Sequence, residues 1–271
     1  MSTADGTFGA DPVARVVRET QHFGTIVVVG GGCYGSYYVR QLGRAAAAGA
    51  ARWNELVVVD RDADCRVAQL AGAERPPAMR VEVAPWDAFF AGYLAEASLR
   101  PEALVADAIV PSPLMPHLMA DWLFARARTR WPGRTIAVEP LAAAPAVPWQ
   151  RAGEDGTHYV SFAEWMCPIN CIEPVRCPAT KNTRTWSMPP ALAQYAAAER
   201  EAGRPVEGPY VFHCSHRTHG VGMIDVRDVI AADRAIAARG AAGPAAFLVG
   251  TASHCHGALQ RIAIGGEEVR R

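Results

Sequence analysis

A chain of 271 residues with 27 basic and 27 acidic side chains has no net charge, so it lacks the field that holds nucleic acid or an anionic membrane. The expected partner is a small-molecule substrate or effector. Hydrophobic residues make up 50% and charged residues 20%, the composition of a globular protein and not of a disordered one. No apolar stretch approaches a membrane span, the first 24 residues lack the apolar core of a secretion signal, and seven cysteines make an odd number for a disulfide framework; the expected setting is the cytoplasm.

Residues 1–24 read as a polar N-terminal extension. From Thr25, TIVVVG is a β-branched run without polar alternation, the pattern of a strand covered on both faces. A glycine turn and a helix follow, then a second strand ELVVVD (55–60), a helix DADCRVAQLAGA (62–73) and a strand MRVEVA (79–84). Next come a helix at about 86–98, the apolar run LVADAIVP (104–111), a helix from Pro116 to Arg130 and a strand TIAVEP (135–140). This alternation predicts an α/β fold with a Rossmann-type doubly wound parallel sheet over residues 25–140. Residues 141–158 mix proline, glycine and small residues without a period and read as a linker. Residues 159–271 read as a cysteine- and histidine-rich α/β region. It holds a cysteine-rich loop (166–190), a helix from Pro190, a strand PYVFHC (209–214), a helix over 225–239, a strand AAFLVGTAS (245–253) and a helix from His256 to Ile264.

Gly30, Gly32 and Gly35 form G-x-G-x-x-G between a buried strand and a helix, the context that motif requires. The first glycine allows the tight turn, the second a close approach of diphosphate, the third close packing of helix on strand. Cys33 and Tyr34 sit at the helix N-terminus, where free N–H groups favour negative charge. Asp60 ends the second strand, where a carboxylate accepts hydrogen bonds from ribose hydroxyls and repels a 2′-phosphate. NAD is therefore expected over NADP, with the adjacent Arg61 the group that would meet a phosphate instead. GGGCYGSYYVRQL with VVVDRDADCRVAQL resembles the Rossmann NAD-binding superfamily, in particular the nucleotide-sensing domains of potassium-uptake regulators and the dehydrogenase domain of sirohaem synthases. That resemblance covers the first half of the chain and implies a fold and a ligand class, not a reaction.

The segment CPINCIEPVRCPATKNTRTW spaces Cys167, Cys171 and Cys177 as C-x3-C-x5-C, two of them followed by proline, which stiffens the approach of the sulfurs. Cys255, after the strand at 245–253, is the natural distant fourth ligand, and an iron–sulfur cluster fits the looser spacing better than the alternative, zinc. Glu173, between the second and third cysteines, reads first as a solvated loop acid, with a proton carrier or an extra metal ligand as the alternatives. Lys181, the only lysine, lies in the same segment, and five of the eight histidines fall between 213 and 256. The strands before Cys214 and Cys255 should end on one carboxyl edge, where α/β proteins bind ligands. Arg217, His219 and His256 are the candidate catalytic residues, supplying positive charge or proton transfer. The whole chain also resembles a group of uncharacterised bacterial Rossmann proteins with a CPxxCxEPxxCP-like loop, a basic HG segment and a late CHG element, here Cys167–Pro178, Arg217–Gly222 and Cys255–Gly257.

The reading that joins these features is an NAD-binding, oxidoreductase-like protein, possible as a homodimer, with a cysteine-ligated metal centre acting on a small molecule. Two alternatives stand beside it: a regulatory protein responding to NAD and metal or redox state without turnover, and a tetrapyrrole dehydrogenase or chelatase.

Overall fold

The computed structural model describes residues 19–101, 106–165, 167 and 171–267. Strands β1 (Gln21–Val29) and β2 (Ala51–Asp60) are apolar on both faces because both are covered. Ile26, Val28, Leu56 and Val58 pack with helix α1 (Cys33–Ala47), while Val27, Val29, Val57 and Val59 point the opposite way. β3 (Met79–Val83), β2, β1 and β4 (Ala108–Val110) lie side by side in that order, all parallel. Helix α2 (Trp86–Ala97) follows β3. The sheet is completed from far along the chain: β10 (Val221–Asp225) runs antiparallel to β4, and β9 (Ser215–Thr218) antiparallel to β10.

A second sheet has the order β6 (Trp149–Ala152), β7 (His158–Ser161), β12 (His256–Glu267), β11 (Ala245–Ala252) and β8 (Glu207–His213). β12 is long enough to take β7 and then β5 (Arg134–Glu139) in succession along one edge. β8 and β11 are parallel; the other pairs are antiparallel. Helices α2, α3 (Leu118–Arg130) and α5 (Val226–Ala241) fill the space between the sheets in one core, which joins Val27 and Ile109 of the first sheet to Phe247 and Ile262 of the second. Helix α4 (Met188–Glu201) covers the outer face of the second sheet through Met188 and Leu192. The layers are thus helix, sheet, helices, sheet, helix. Among the described residues no helix is long and apolar enough to cross a membrane.

The α/β class expected from the alternation holds, in the form of two mixed sheets that are parallel only in part. Several local expectations are corrected. The strand over 135–140 joins the second sheet, not the first. Residues 149–152, expected within a linker, form β6. The segment 62–73 is a series of turns, because Val67 N–H bonds to Gly31 O (3.0 Å) and Cys65, Val67 and Leu70 are buried against the glycine loop's core; only Gly72–Glu74 makes a 3₁₀ turn. The stretch from His256, expected as a helix, is β12: both of its faces are covered, so consecutive residues Ala258, Leu259 and Gln260 are all buried and no two-residue alternation shows. The residues 1–18 of the N-terminal extension lie outside the described residues, and β1 begins at Gln21, four residues before the first expected strand residue.

One buried carboxylate ties the first sheet together. Asp107, 3% exposed, accepts Thr25 N–H (2.8 Å) and the Tyr93 hydroxyl (2.8 Å), with Arg100 at 3.3 Å. Asp107→Ala strands a buried N–H and a half-buried hydroxyl, so a loss of about 3 kcal/mol is expected in urea unfolding. An unchanged midpoint would show that solvent replaces the carboxylate.

Candidate functional site

At the end of β1, Gly30 has φ +87° and its N–H donates to Val59 O (2.8 Å), which makes the tight turn. A Cβ on Gly35 would stand 1.8 Å from Gly30 O, so α1 packs on the turn as closely as glycine alone permits. Gly32 is exposed and a Cβ there meets nothing within 4 Å. It occupies the N-cap of α1, where no side chain caps the helix and no acid stands in the first turn, leaving the helix N–H groups of the exposed Cys33 and half-buried Tyr34 without a competing anion. Asp60 accepts Gly31 N–H (2.6 Å) and Asp62 N–H (2.9 Å), so its carboxylate also shapes the loop, while Arg61 faces solvent.

The second sheet brings its own strand ends to this rim. β8 and β11 end together, with His213 opposite Ala252, and Cys214 N–H bonds to Ala252 O (2.8 Å). Thr251 of β11 lines the same small cavity as Val29, Pro111 and Ser112 at the ends of β1 and β4. The carboxyl edges of the two sheets therefore meet.

Glu173 organises what lies beyond. It is no solvated loop acid: its carboxylate accepts Ser253 Oγ–H (2.6 Å), His254 N–H (2.8 Å) and Cys255 N–H (3.0 Å), pinning the turn between β11 and β12 to the cysteine loop. Its φ of +50° shows a backbone held in an uncommon conformation for a side-chain-bearing residue. Burial raises its pKa, but these donors, with His216 nearby, outweigh burial and the net shift is downward.

Around that carboxylate stand the histidines. His213 and His254 contact edge to face, ring centroids 4.9 Å apart. His254 Nδ1 meets Ser187 Oγ (2.8 Å) and His256 Nδ1 meets Ser161 Oγ (3.0 Å); His213 Nε2 is buried without a hydrogen-bond partner. Ser187 occupies the N-cap of α4 without a side-chain cap bond, its hydroxyl being engaged with His254 Nδ1. The pKa values of His213, His216, His254 and His256 are all lowered, chiefly by burial, so these rings are neutral at pH 7 and competent to accept protons or bind a Lewis acid. Arg217 pairs with Asp225 (2.6 Å) in β9 and β10, close enough to His213 to lower its pKa further.

The thiols divide into distinct environments. Cys214 is pushed up to about 12 by burial and is inert as a nucleophile. Cys255 is likewise pushed up to about 12 by burial, and its sulfur accepts the Trp186 indole N–H (3.3 Å). Cys167 is raised by burial and by the neighbouring Cys171. Cys177 is lowered, first by the Thr180 backbone N–H directed at its sulfur. Among the described residues, no three His, Cys, Asp or Glu side chains stand close enough to hold a metal ion.

The structure thus gathers Glu173, His213, His216, His254, Cys255 and His256 on one rim, with Arg217 at its edge. It places His219 elsewhere: that residue is exposed in the β9–β10 turn, where φ is +44° at His219 and +75° at Gly220. Ser161, Ser187 and Asp225 were not foreseen. The Ser-Met-Pro-Pro start of α4 marks an N-cap, and the His-Gly pair a two-residue hairpin turn, so both had a local signal.

The fold and site define a two-sheet α/β protein whose strand ends carry a glycine loop and a histidine–cysteine rim. Residues 119–265 match the AF_1314_C family, described as "Uncharacterized protein, C-terminal domain", and the chain belongs to that family. The matched region runs from α3 into β12, so it contains the cysteine loop and the histidine rim and leaves out the glycine loop. No curated protein and no solved structure is detectably similar to the chain.

Proposed function

We propose that the first sheet is a Rossmann-type, dinucleotide-binding unit, and that the protein is an NAD-dependent oxidoreductase acting on a small molecule at the histidine rim. The observation that carries this reading is the glycine loop: a Gly35 that α1 cannot replace, and an open Gly32 at an uncapped helix N-terminus. The order β3-β2-β1-β4 with α1 after β1 supports it, since that is the arrangement of half a dinucleotide fold. In this reading the N–H groups of Cys33 and Tyr34 hold the diphosphate, and Asp60 holds the adenosine ribose. The nicotinamide, when bound, donates or accepts hydride. The chain's own residues handle the proton: His254 and His256, neutral and fixed through Nδ1 by Ser187 and Ser161, exchange it with the substrate, and Arg217 supplies positive charge at the edge. Such chemistry belongs in the cytoplasm, where NAD and reduced thiols coexist.

Calorimetric titration tests the proposal. NADH should bind at least about tenfold more tightly than NADPH, the value of one charge-assisted hydrogen bond kept or lost. Asp60→Ala should weaken NADH more than NADPH. Because Asp60 also holds Gly31 and Asp62, some loss for NADPH is expected as well. Equal affinities in the native protein, or no heat with either nucleotide, overturn the proposal.

A further inference from the structure

We infer that the turn over residues 253–255, between β11 and β12, is a binding site for a carboxylate-bearing small molecule, and that Glu173 fills it from within the chain. The first ground is a turn built to present donors. Its carbonyl side is held by other elements: Met188 N–H bonds to His254 O (2.9 Å), Phe162 N–H to Cys255 O (2.9 Å), and Ser253 N–H closes the turn on His256 O (2.9 Å). The N–H groups of His254 and Cys255 and the Ser253 hydroxyl are left to converge on one carboxylate, at 2.8, 3.0 and 2.6 Å. Consecutive N–H groups aimed at one oxyanion form an anion-binding nest. This nest follows the common carboxyl end of the parallel strands β8 and β11, the edge at which α/β proteins bind ligands.

The second ground is how lightly the occupant is held from behind. Of the described residues from 164 to 187, only Cys177 is buried, and Ile172 and Val175, which flank Glu173, are 52% and 71% exposed. Glu173 reaches the nest from a left-handed backbone, φ +50°, which weakens its hold by roughly tenfold relative to a relaxed residue. A tethered carboxylate under strain, with so little core behind it, is one that a free carboxylate can displace.

The third ground is the surroundings, which suit an anionic, polar molecule. Arg184 gives its N–H groups to three backbone carbonyls, forms no ion pair among the described residues, and adds to burial in lowering the pKa of His254. His213, in edge contact with the His254 ring, keeps Nε2 buried without a hydrogen-bond partner, a polar atom that a bound molecule would satisfy. The nest stands independently of any dinucleotide; that its ligand is the substrate rests on the oxidoreductase reading. On that reading the substrate is a small carboxylic acid, anchored at the turn in place of Glu173 and presented to the imidazoles of His254 and His256. When it leaves, Glu173 returns and the donors are not left unpaired.

The test uses the full chain without nucleotide. Amide exchange at His254 and Cys255 is followed in Glu173→Ala and in Glu173→Gly, the second of which suits the left-handed backbone. Acetate at about ten times its Kd should slow exchange at both amides about tenfold, by the factor 1 + [L]/Kd, while chloride at equal ionic strength should not. Adding Ser253→Ala should weaken the acetate effect, and phosphate should protect less well than the planar carboxylate. The native chain needs no variant: acetate binds only where Glu173 has left, so the open population and proteolysis between about 171 and 187 should rise by the same factor of about ten. His254 and Cys255 should stay protected meanwhile. Exchange indifferent to acetate in both variants, or protection by phosphate and not by acetate, overturns the carboxylate site. A native loop whose proteolysis does not respond to acetate makes Glu173 a permanent tie and overturns it equally. Failure of the native chain to bind NADH touches only the assignment of the ligand as substrate.

Discussion

Gly32→Ala is expected to leave the protein folded and to abolish the NADH binding proposed for it. A methyl group at that position meets nothing within 4 Å, so packing is undisturbed. Replacing glycine by alanine at an N-cap costs about 1 kcal/mol, a few degrees of melting temperature. The same methyl stands in the space through which a diphosphate reaches the helix N–H groups, so NADH affinity should fall below detection. Gly35→Ala behaves differently. Its methyl would lie 1.8 Å from a backbone oxygen, which cannot yield as a side chain does, so helix and turn must separate. A cost of about 3 kcal/mol or more follows, and the loop is lost with its ligand. Melting curves and NADH titrations of the two variants separate the effects; retained NADH binding in Gly32→Ala shows that the glycines only make a turn.

Glu173→Ala should release the cysteine loop without unfolding the sheets. Three donors converge on this carboxylate, and a hydrogen bond to a charged group contributes about 1.5–3 kcal/mol. Because the carboxylate is half-buried and solvent replaces part of what is lost, about 2–4 kcal/mol is the expected net effect. The surrounding loop has so little core that the loss appears as local opening. Amide exchange at His254 and Cys255 should rise roughly a hundredfold, while the strands of both sheets keep their protection. Unchanged exchange at these two amides would show that the turn after β11 orders itself.

The elements that announced themselves in the sequence are those whose local chemistry and final environment agree. TIVVV and ELVVVD are strands covered on both faces, and the glycines between strand and helix sit where backbone geometry demands them. What escaped was set by contacts distant in sequence. HGALQRIAI contains good helix formers, and it becomes a strand because β11, β7 and β5 supply its hydrogen bonds. TIAVEP reads as a strand in isolation, but nothing in its six residues says which sheet it joins. At the site, the strands before Cys214 and Cys255 were expected to end on one edge, and β8 and β11 do end together, with His213 opposite Ala252. Glu173 was read as a solvated acid because its three donors lie eighty residues away. His219 was grouped with the other histidines by sequence proximity, while its position in a tight turn separates it from them.

The first sheet is left unfinished by the residues that come off the ribosome first. β4 has one neighbour, β1, until β10 arrives more than a hundred residues later, so its other edge exposes unpaired backbone groups and buried-type residues Ala108, Ile109 and Val110 throughout that interval. The half that carries the glycine loop therefore depends on the other half to complete its sheet. A nascent chain ending near residue 140 should stick to itself or to a chaperone, and recombination that swapped either half for a foreign one would leave a raw sheet edge behind. This interdependence binds the inheritance of the glycine loop to that of the cysteine loop, whatever chemistry each performs.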